Sequence, residues 1–118
     1  MPDRISARHD AKMCDSTLAR AFDLLGKRWN GVILGTLKTG SAGFSELRRA
    51  VSGISDSVLS ERLTELAGAG IVERSVDTGP PVSVSYRLSA SGLALLPALD
   101  ELAAWASLNL AKAPSPTR

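Results

Sequence analysis

Apolar residues recur three or four positions apart through the first half of the chain, and this spacing predicts amphipathic helices. A first helix is expected to begin at Asp15 or Ser16 and to end at Gly26, with an apolar stripe of Leu18, Ala19, Phe22 and Leu25. A second is expected to stop at Gly40 and to present Trp29, Val32, Ile33 and Leu37 on one side. Gly35 costs this helix ~1 kcal/mol relative to alanine, so we expect close packing there.

A third and a fourth helix are expected on either side of a tight turn. Phe44 should anchor a short extended segment, which the third helix follows over about residues 45–51. Gly53 can adopt a positive φ in the turn, and Ser55 or Asp56 can cap the fourth helix. That helix should end near residues 67–70, and it is expected to bury Leu59, Leu63 and Leu66.

The opposite face of the fourth helix carries small hydroxyl residues and charge. Its members are Ser57, Ser60, Glu61 and Thr64, with Arg62 on the flank. Serine is common at helix starts, so an ordinary capped surface helix is one interpretation. Small hydrogen-bonding side chains also suit a helix that enters the major groove of DNA, where bulk is disfavoured.

After residue 70 the hydrophobic spacing changes to strict alternation, which predicts strands. Val82, Val84, Tyr86 and Leu88 alternate with polar residues, and an earlier β-prone run contains Ile71, Val72 and Val76. Residues 77–81 form a turn rich in Gly and Pro, so the two runs should pair as an antiparallel hairpin.

Ser89 is then expected to cap a last helix over about residues 90–110, with a bend near Pro97. Its apolar stripe consists of Leu93, Leu96, Leu99, Leu102, Trp105 and Leu108.

Composition narrows the functional classes. The single Cys14 excludes an internal disulfide framework and a cysteine-based zinc site within one chain. His9 is the only histidine, and carboxylates do not cluster, so we expect no enzyme, no metal and no cofactor. We find neither a signal-peptide pattern at the start nor an apolar run of membrane-spanning length, so a cytoplasmic protein is expected.

Charge is distributed unevenly along the chain, although the net charge is only +2. Residues 1–50 contain nine Lys or Arg against five Asp or Glu, whereas residues 51–118 contain five against seven. The excess of basic residues before the fourth helix is compatible with one positive face.

Three helices, a tight turn and a following hairpin together predict a mainly α winged helix-turn-helix fold, with about five helices and a two-stranded wing. We expect an N-terminal arm at residues 1–13, one domain at residues 14–111 with dimerisation helices at both ends, and a tail at residues 112–118. The hairpin directly follows the candidate recognition helix, so its tip could reach the DNA backbone or minor groove.

The chain also resembles the HxlR-type branch of the winged-helix transcription regulators. The matching positions run in order from Cys14 to Trp105. They are Cys14, Leu24-Leu25-Gly26-Lys27-Arg28-Trp29, Ile33-Leu34, Gly40, Phe44-Ser45-Glu46-Leu47, Gly53-Ile54-Ser55, Leu59, Arg62-Leu63, Glu65-Leu66, Gly70-Ile71-Val72-Glu73-Arg74, Pro81, Val84, Tyr86, Leu88-Ser89, Gly92 and Trp105. The resemblance implies a homodimeric bacterial regulator, a repressor or dual regulator, that binds a palindromic double-stranded DNA operator.

The resemblance also implies a possible sensor at Cys14, because relatives use such a cysteine to detect oxidants or electrophiles. A cysteine before a helix N-terminus can have a lowered pKa, which Lys12 would assist and Asp15 would oppose. Many relatives have proline where this chain has Asp15, and an acidic residue where it has Ser85. The alternative for Cys14 is a partly buried small side chain at the dimer interface.

The candidate DNA-binding residues are Ser55, Ser57, Ser60, Glu61, Arg62, Thr64, Arg48, Arg49, Arg74 and Arg87. Glu61 could accept a hydrogen bond from a cytosine amino group, while Arg48 and Arg49 suit phosphate. For the arginines the alternative is a solvated surface or cross-strand pair.

The first and last helices are expected to form the dimer interface, although the last helix could simply close its own monomer. The main rival function is a winged-helix module that contacts proteins and does not bind DNA. Another is a small-molecule sensor with a pocket between the first, second and fifth helices.

Overall fold

The computed structural model describes residues 16–111, which form helices and a small antiparallel sheet. Helix α1 covers residues 16–25. The elements that follow are α2 (Asn30–Thr36), a 3₁₀ turn (Leu37–Thr39), β1 (Ala42–Gly43), α3 (Phe44–Ala50), α4 (Asp56–Gly68), β2 (Val72–Asp77), β3 (Ser83–Leu88) and α5 (Ala90–Asn109). This order confirms the predicted winged helix-turn-helix architecture.

The wing is part of a three-stranded sheet with the order β1-β3-β2. Strands β2 and β3 pair in the antiparallel register that places Val72 opposite Leu88 and Asp77 opposite Ser83. Strand β1 adds to the other edge of β3 through Ala42 opposite Tyr86. The prediction of a sheet with two strands was therefore incomplete, because a two-residue strand is too short to show alternation.

The core is aliphatic and lies between α2, α3, α4 and the base of the sheet. Its fully buried members include Ile33 and Leu34 of α2, Leu47 of α3 and the three leucines of α4. Val32, which we expected on the apolar side of the second helix, is 54% exposed. Phe44 is the first residue of α3, so the extended segment expected at that residue is the preceding strand β1.

The open surroundings of Gly35 contradict the close packing expected there. Within the described residues, a Cβ built on Gly35 would have no heavy atom within 4 Å. Gly35 and Gly31 instead line a groove between α2 and α5.

Ser89 caps α5, as expected, and fixes the helix to the α4–β2 turn. Its Oγ accepts a hydrogen bond from the Gly92 amide at 3.1 Å and donates to the Gly70 carbonyl oxygen at 2.5 Å. Gly92 is the buried residue of α5, and Pro97 lies within the same helix. The bend expected at Pro97 stays a prediction.

Cys14, His9, the predicted arm and the predicted tail all lie outside the described residues, so the division into arm, domain and tail stays a prediction. Among residues 16–111, none of the helices has the length and apolar character needed to cross a membrane.

Candidate nucleic-acid interface

The start of α4 is built as the sequence predicts, with a glycine turn and a serine cap. Gly53 has φ of 94°, a conformation that glycine adopts without the steric cost of a Cβ. Ser55 is the N-cap, and its Oγ accepts from the Val58 amide at 3.2 Å. Asp56 is the first helical residue, so of the two predicted caps Ser55 is the one that caps the helix.

Helix α4 has a buried leucine face and a solvent-exposed hydroxyl face. Leu59, Leu63 and Leu66 are at most 1% exposed. The exposed face contains Ser57, Ser60, Glu61 and Thr64. The hydroxyl groups at residues 57, 60 and 64 therefore form a row of small hydrogen-bonding groups on the outer surface of the helix.

A cleft of about 370 Å³ runs between this helix and the wing. Ser60 and Thr64 line it from α4, and Arg74 and Tyr86 line it from the sheet. The strand register explains the second pair, because Arg74 lies directly opposite Tyr86 and cross-strand partners share a face. The cleft thus brings one candidate arginine next to two candidate hydroxyl residues.

The two wing arginines lie on opposite faces of the sheet. Glu73 is opposite Arg87 in the register, one position away from the Arg74–Tyr86 pair, and successive side chains alternate between faces. Arg87 donates from Nε to Glu73 Oε1 at 2.9 Å. The structure therefore separates Arg87 from the cleft that contains Arg74.

The two arginines of α3 have different surroundings. Arg48 forms an exposed ion pair with Asp56 at the start of α4, at 3.2 Å. Arg49 lines a neighbouring polar cleft of about 430 Å³ together with Thr36, Ser41 and Glu46. Among residues 16–111, Arg49 and Arg74 form no ion pair with an acidic side chain, which leaves both guanidinium groups available to phosphate.

Arg62 does not belong to the exposed hydroxyl face. Its side chain is only 13% exposed, and Nη1 donates to Glu65 Oε1 at 2.8 Å. A second carboxylate, that of Glu61, lies 3.4 Å from Nη2. These partners hold the Arg62 guanidinium group in an ion-pair network within the chain, on the flank of α4.

Glu65 is the centre of that network and links α4 to the segment between α1 and α2. Its Oε2 lies 2.5 Å from Lys27 Nζ, and Asn30 Nδ2 lies 3.5 Å from its Oε1. The hydrogen bond from Lys27 is the main cause that lowers the pKa of Glu65. Partial burial acts to raise this pKa, whereas Asn30 and Arg62 lower it further. Glu65 is therefore held as a carboxylate.

Asn30 extends this network into the interior. It is fully buried, and Nδ2 donates to the Leu24 carbonyl oxygen of α1 at 2.7 Å. Sequence reasoning did not select Lys27, Asn30 or Glu65 as a group. The available signal was Asn30 itself, because it lies at helical spacing from Ile33, Leu34 and Leu37 on an otherwise apolar face.

The residues described here, 16–111, contain no cluster of His, Cys, Asp and Glu side chains that could hold a metal ion. The arrangement combines a helix with an exposed polar face, an adjacent cleft that contains Arg74, and two arginines on α3.

A comparison with protein families identifies the family of the chain. The model of the HxlR-like helix-turn-helix family matches residues 24–114, which is most of the chain. The chain belongs to the HxlR-like helix-turn-helix family. Its members among the curated relatives carry the description of HTH-type transcriptional regulators.

Two Bacillus subtilis relatives of this HxlR-like chain are especially similar. The transcriptional regulator YodB is 45% identical over 94 residues, which cover 80% of this chain and 83% of YodB. The uncharacterised regulator YvaP is 41% identical over 99 residues, covering 84% and 91% of the two chains.

Solved structures agree with the fold. The reduced form of YodB superimposes with a TM-score of 0.76 and covers 83% of this chain and 96% of its own. Diamide-treated and quinone-bound forms of YodB each match with a TM-score of 0.70. The redox regulator HypR in its reduced form gives 0.75 at 30% identity, with 79% and 92% coverage.

Proposed function

We propose that this HxlR-like protein is a homodimeric transcriptional repressor that reads a palindromic DNA operator through α4. The observation that supports the proposal most is the exposed row of Ser57, Ser60 and Thr64, next to the cleft that contains Arg74. Hydroxyl groups can donate to and accept from base edges in the major groove, and guanidinium groups neutralise phosphate. Both groups occur on one side of the molecule.

The candidate contacts divide into two classes. Ser57, Ser60, Glu61 and Thr64 face solvent from α4 and are proposed to meet the major groove, with Ser55 at the helix start. Arg48, Arg49 and Arg74 are proposed to meet phosphates, which position the helix and carry no sequence information. Arg62 is only 13% exposed, and Arg87 lies on the face of the sheet away from the cleft, so in this proposal neither contacts DNA.

Dimerisation is proposed because α1 and α5 expose large apolar side chains. Leu18 and Phe22 of α1 and Leu102, Trp105 and Leu108 of α5 are all at least 45% exposed. Two-fold pairing through these helices would place two copies of α4 about one DNA turn apart, roughly 34 Å, as a palindrome requires.

Operator binding can be tested with the purified full chain. Fragments enriched from random double-stranded DNA should share a palindrome, and their affinity should fall steeply with salt, by roughly 10³-fold between 50 and 200 mM if about six phosphates are contacted. Absence of enrichment, together with salt-independent binding, would contradict the proposal and favour a protein-interaction module.

The inducing signal is proposed to be an oxidant or an electrophile such as a quinone. This proposal rests on the diamide-treated and quinone-bound forms of YodB, on the redox regulator HypR, and on the presence of Cys14 in this chain. Diamide should weaken operator binding by the wild-type chain and leave Cys14→Ser unaffected.

Two results of the diamide experiment would contradict the redox proposal. The first is an unchanged operator affinity of the wild type once a thiol titration has shown that Cys14 is oxidised. This result would exclude the redox proposal. An equal response of Cys14→Ser, which has no cysteine, would show that diamide does not act through Cys14.

A further inference from the structure

The groove between α2 and α5 is open, apolar and about 480 Å³ in volume. Gly31 and Gly35 form one wall, and a Cβ built on either would meet no heavy atom of the described residues within 4 Å. Leu99, Ala103 and Ala106 belong to the opposite wall. An exposed ion pair of 2.9 Å between Lys38, in the 3₁₀ turn after α2, and Asp100 of α5 lies at its border.

Helix α5 is apolar on more than the side that faces its own domain. Leu99, Ala103 and Ala106 face the groove, whereas Leu93, Trp105 and Leu108 lie on other sides of the helix by the 3.6-residue period. Leu93 and Trp105 are more than half exposed, and Leu108 is 85% exposed. A helix that is apolar all round is typically buried by something, and Gly92 is the buried residue of α5 in this single chain.

The exposed apolar area is of the size that a dimer buries. Seven large side chains on α1, α2 and α5 are between 45% and 85% exposed: Leu18, Phe22, Val32, Leu93, Leu102, Trp105 and Leu108. Together they could supply a large part of the about 800 Å² that each partner buries in a stable interface.

Residues 112–118 are a poor candidate to cover this area. They contain two prolines, two basic residues and a single alanine. A second copy of the chain is the better match, because it supplies an equally apolar helix.

We propose that the outward face of a second copy's α5, led by its Trp105 and Leu108, packs into the Gly31–Gly35 groove. A two-fold interface is self-complementary, so the same surface must offer both the protruding side chains and the groove that receives them. This inference rests on the proposed homodimer and assigns α2 as a third element of its interface. The two glycines then matter because a side chain longer than that of alanine would occupy the space of the partner.

Thiol reactivity tests the groove directly. In a Cys14→Ser background, the thiol introduced by Gly35→Cys should react freely in dilute monomer and at least about ten-fold more slowly at dimer concentrations. Thr78→Cys in the wing turn is the matched control and should react equally at both concentrations. Sedimentation at the same concentrations establishes the oligomeric state first.

The outcomes separate the two proposals. A dimer in which the Gly35→Cys thiol stays fully reactive overturns the groove assignment and leaves the homodimer intact. A chain that stays monomeric contradicts the homodimer itself. Protection that persists in the dilute monomer would mean that the chain's own terminal segments cover the groove, which also overturns the assignment.

A second pair of variants fills the groove without disturbing the helix. Gly35→Leu should raise the dimer dissociation constant at least about ten-fold, because leucine occupies the space of the partner, whereas Gly35→Ala should change it less than about three-fold. Both substitutions favour helix over glycine, so the monomer should keep its circular dichroism spectrum. A wild-type dissociation constant for Gly35→Leu would contradict the proposal.

Discussion

Lys27 Nζ and the Glu65 carboxylate lie 2.5 Å apart although the residues are 38 positions apart in sequence. Lys27 lies between α1 and α2, and Glu65 lies on the flank of α4, between the exposed hydroxyl face and the buried leucine face. Asn30 joins the same carboxylate and also holds the last turn of α1 through the Leu24 carbonyl. The contact therefore connects a proposed dimerisation helix to the proposed recognition helix.

Stability should depend on pH through Glu65. Its pKa is lowered from 4.5 in the folded chain, chiefly by the hydrogen bond from Lys27. The folded state therefore favours the carboxylate, so this stabilisation is fully present above about pH 4.5 and is lost as the pH falls through the lowered pKa.

Urea unfolding between pH 7 and pH 3 measures this effect. Glu65→Gln should be less stable than the wild type at neutral pH, and the difference should shrink toward pH 3. Glu101→Gln, which changes an exposed carboxyl of α5, is the control and should follow the wild-type profile. Parallel curves for Glu65→Gln and the wild type would show that the Lys27 contact does not act on stability.

Ser89→Ala should destabilise the fold because it removes two connections of α5. The hydroxyl caps the helix at the Gly92 amide and also bonds the Gly70 carbonyl of the preceding turn. We expect a loss of about 1–2 kcal/mol in the free energy of unfolding, measured at one fixed protein concentration. Ser91→Ala, at an exposed position two residues later, should stay within ~0.5 kcal/mol.

Gly92→Ala should be more costly than an ordinary change in a helix. An added Cβ would lie 2.3 Å from the Ile71 carbonyl oxygen and 3.2 Å from Leu88 Cβ. Because backbone must move to relieve the first contact, we expect a loss of about 2 kcal/mol or more in thermal or urea unfolding.

Gly68→Ala is the matched control for that change, since its Cβ would meet nothing within 4 Å among residues 16–111. It should stabilise α4 by up to ~0.5 kcal/mol. Equal effects of the two substitutions would show that α5 does not pack on the Ile71 carbonyl as described.

The parts of the fold that the sequence predicted are those with strong periodicity. The leucine spacing at 59, 63 and 66 fixes which face of α4 is buried. The alternation from Val82 to Leu88 predicted a strand, and β3 covers Ser83–Leu88, but the expected buried side was only partly right, because Leu88 is buried whereas Val82 lies before the strand and is 69% exposed. Strand β1 was missed because Ala42 and Gly43 are too few to show a period. Gly35 was misread because a glycine inside a helix can indicate either close packing or an open groove, and only coordinates distinguish them.

The candidate site was predicted less completely, because it depends on where long side chains reach. Spacing places Arg62 on the flank of α4, but it does not show that the Arg62 side chain is only 13% exposed and is paired with Glu61 and Glu65. Arg74 and Arg87 look equivalent in the sequence, and their separation follows only from the register that pairs Glu73 with Arg87.

That separation gives a prediction for DNA binding. Arg74 lies in the cleft beside Ser60 and Thr64, whereas Arg87 lies on the other face of the sheet with Glu73. If Arg74 contacts a phosphate, Arg74→Ala should weaken operator binding by about ten-fold and reduce the slope of log affinity against log salt by about 1.

Arg87→Ala is the matched control, because it removes the same guanidinium from the neighbouring surface. We expect less than about a two-fold change in affinity and an unaltered salt slope, since a charge that makes no phosphate contact releases no counterions. Fluorescence anisotropy over a range of salt concentrations measures both quantities for both variants. A larger loss for Arg87→Ala than for Arg74→Ala would place the DNA on the other face of the wing and would contradict the proposed orientation of α4 in the groove.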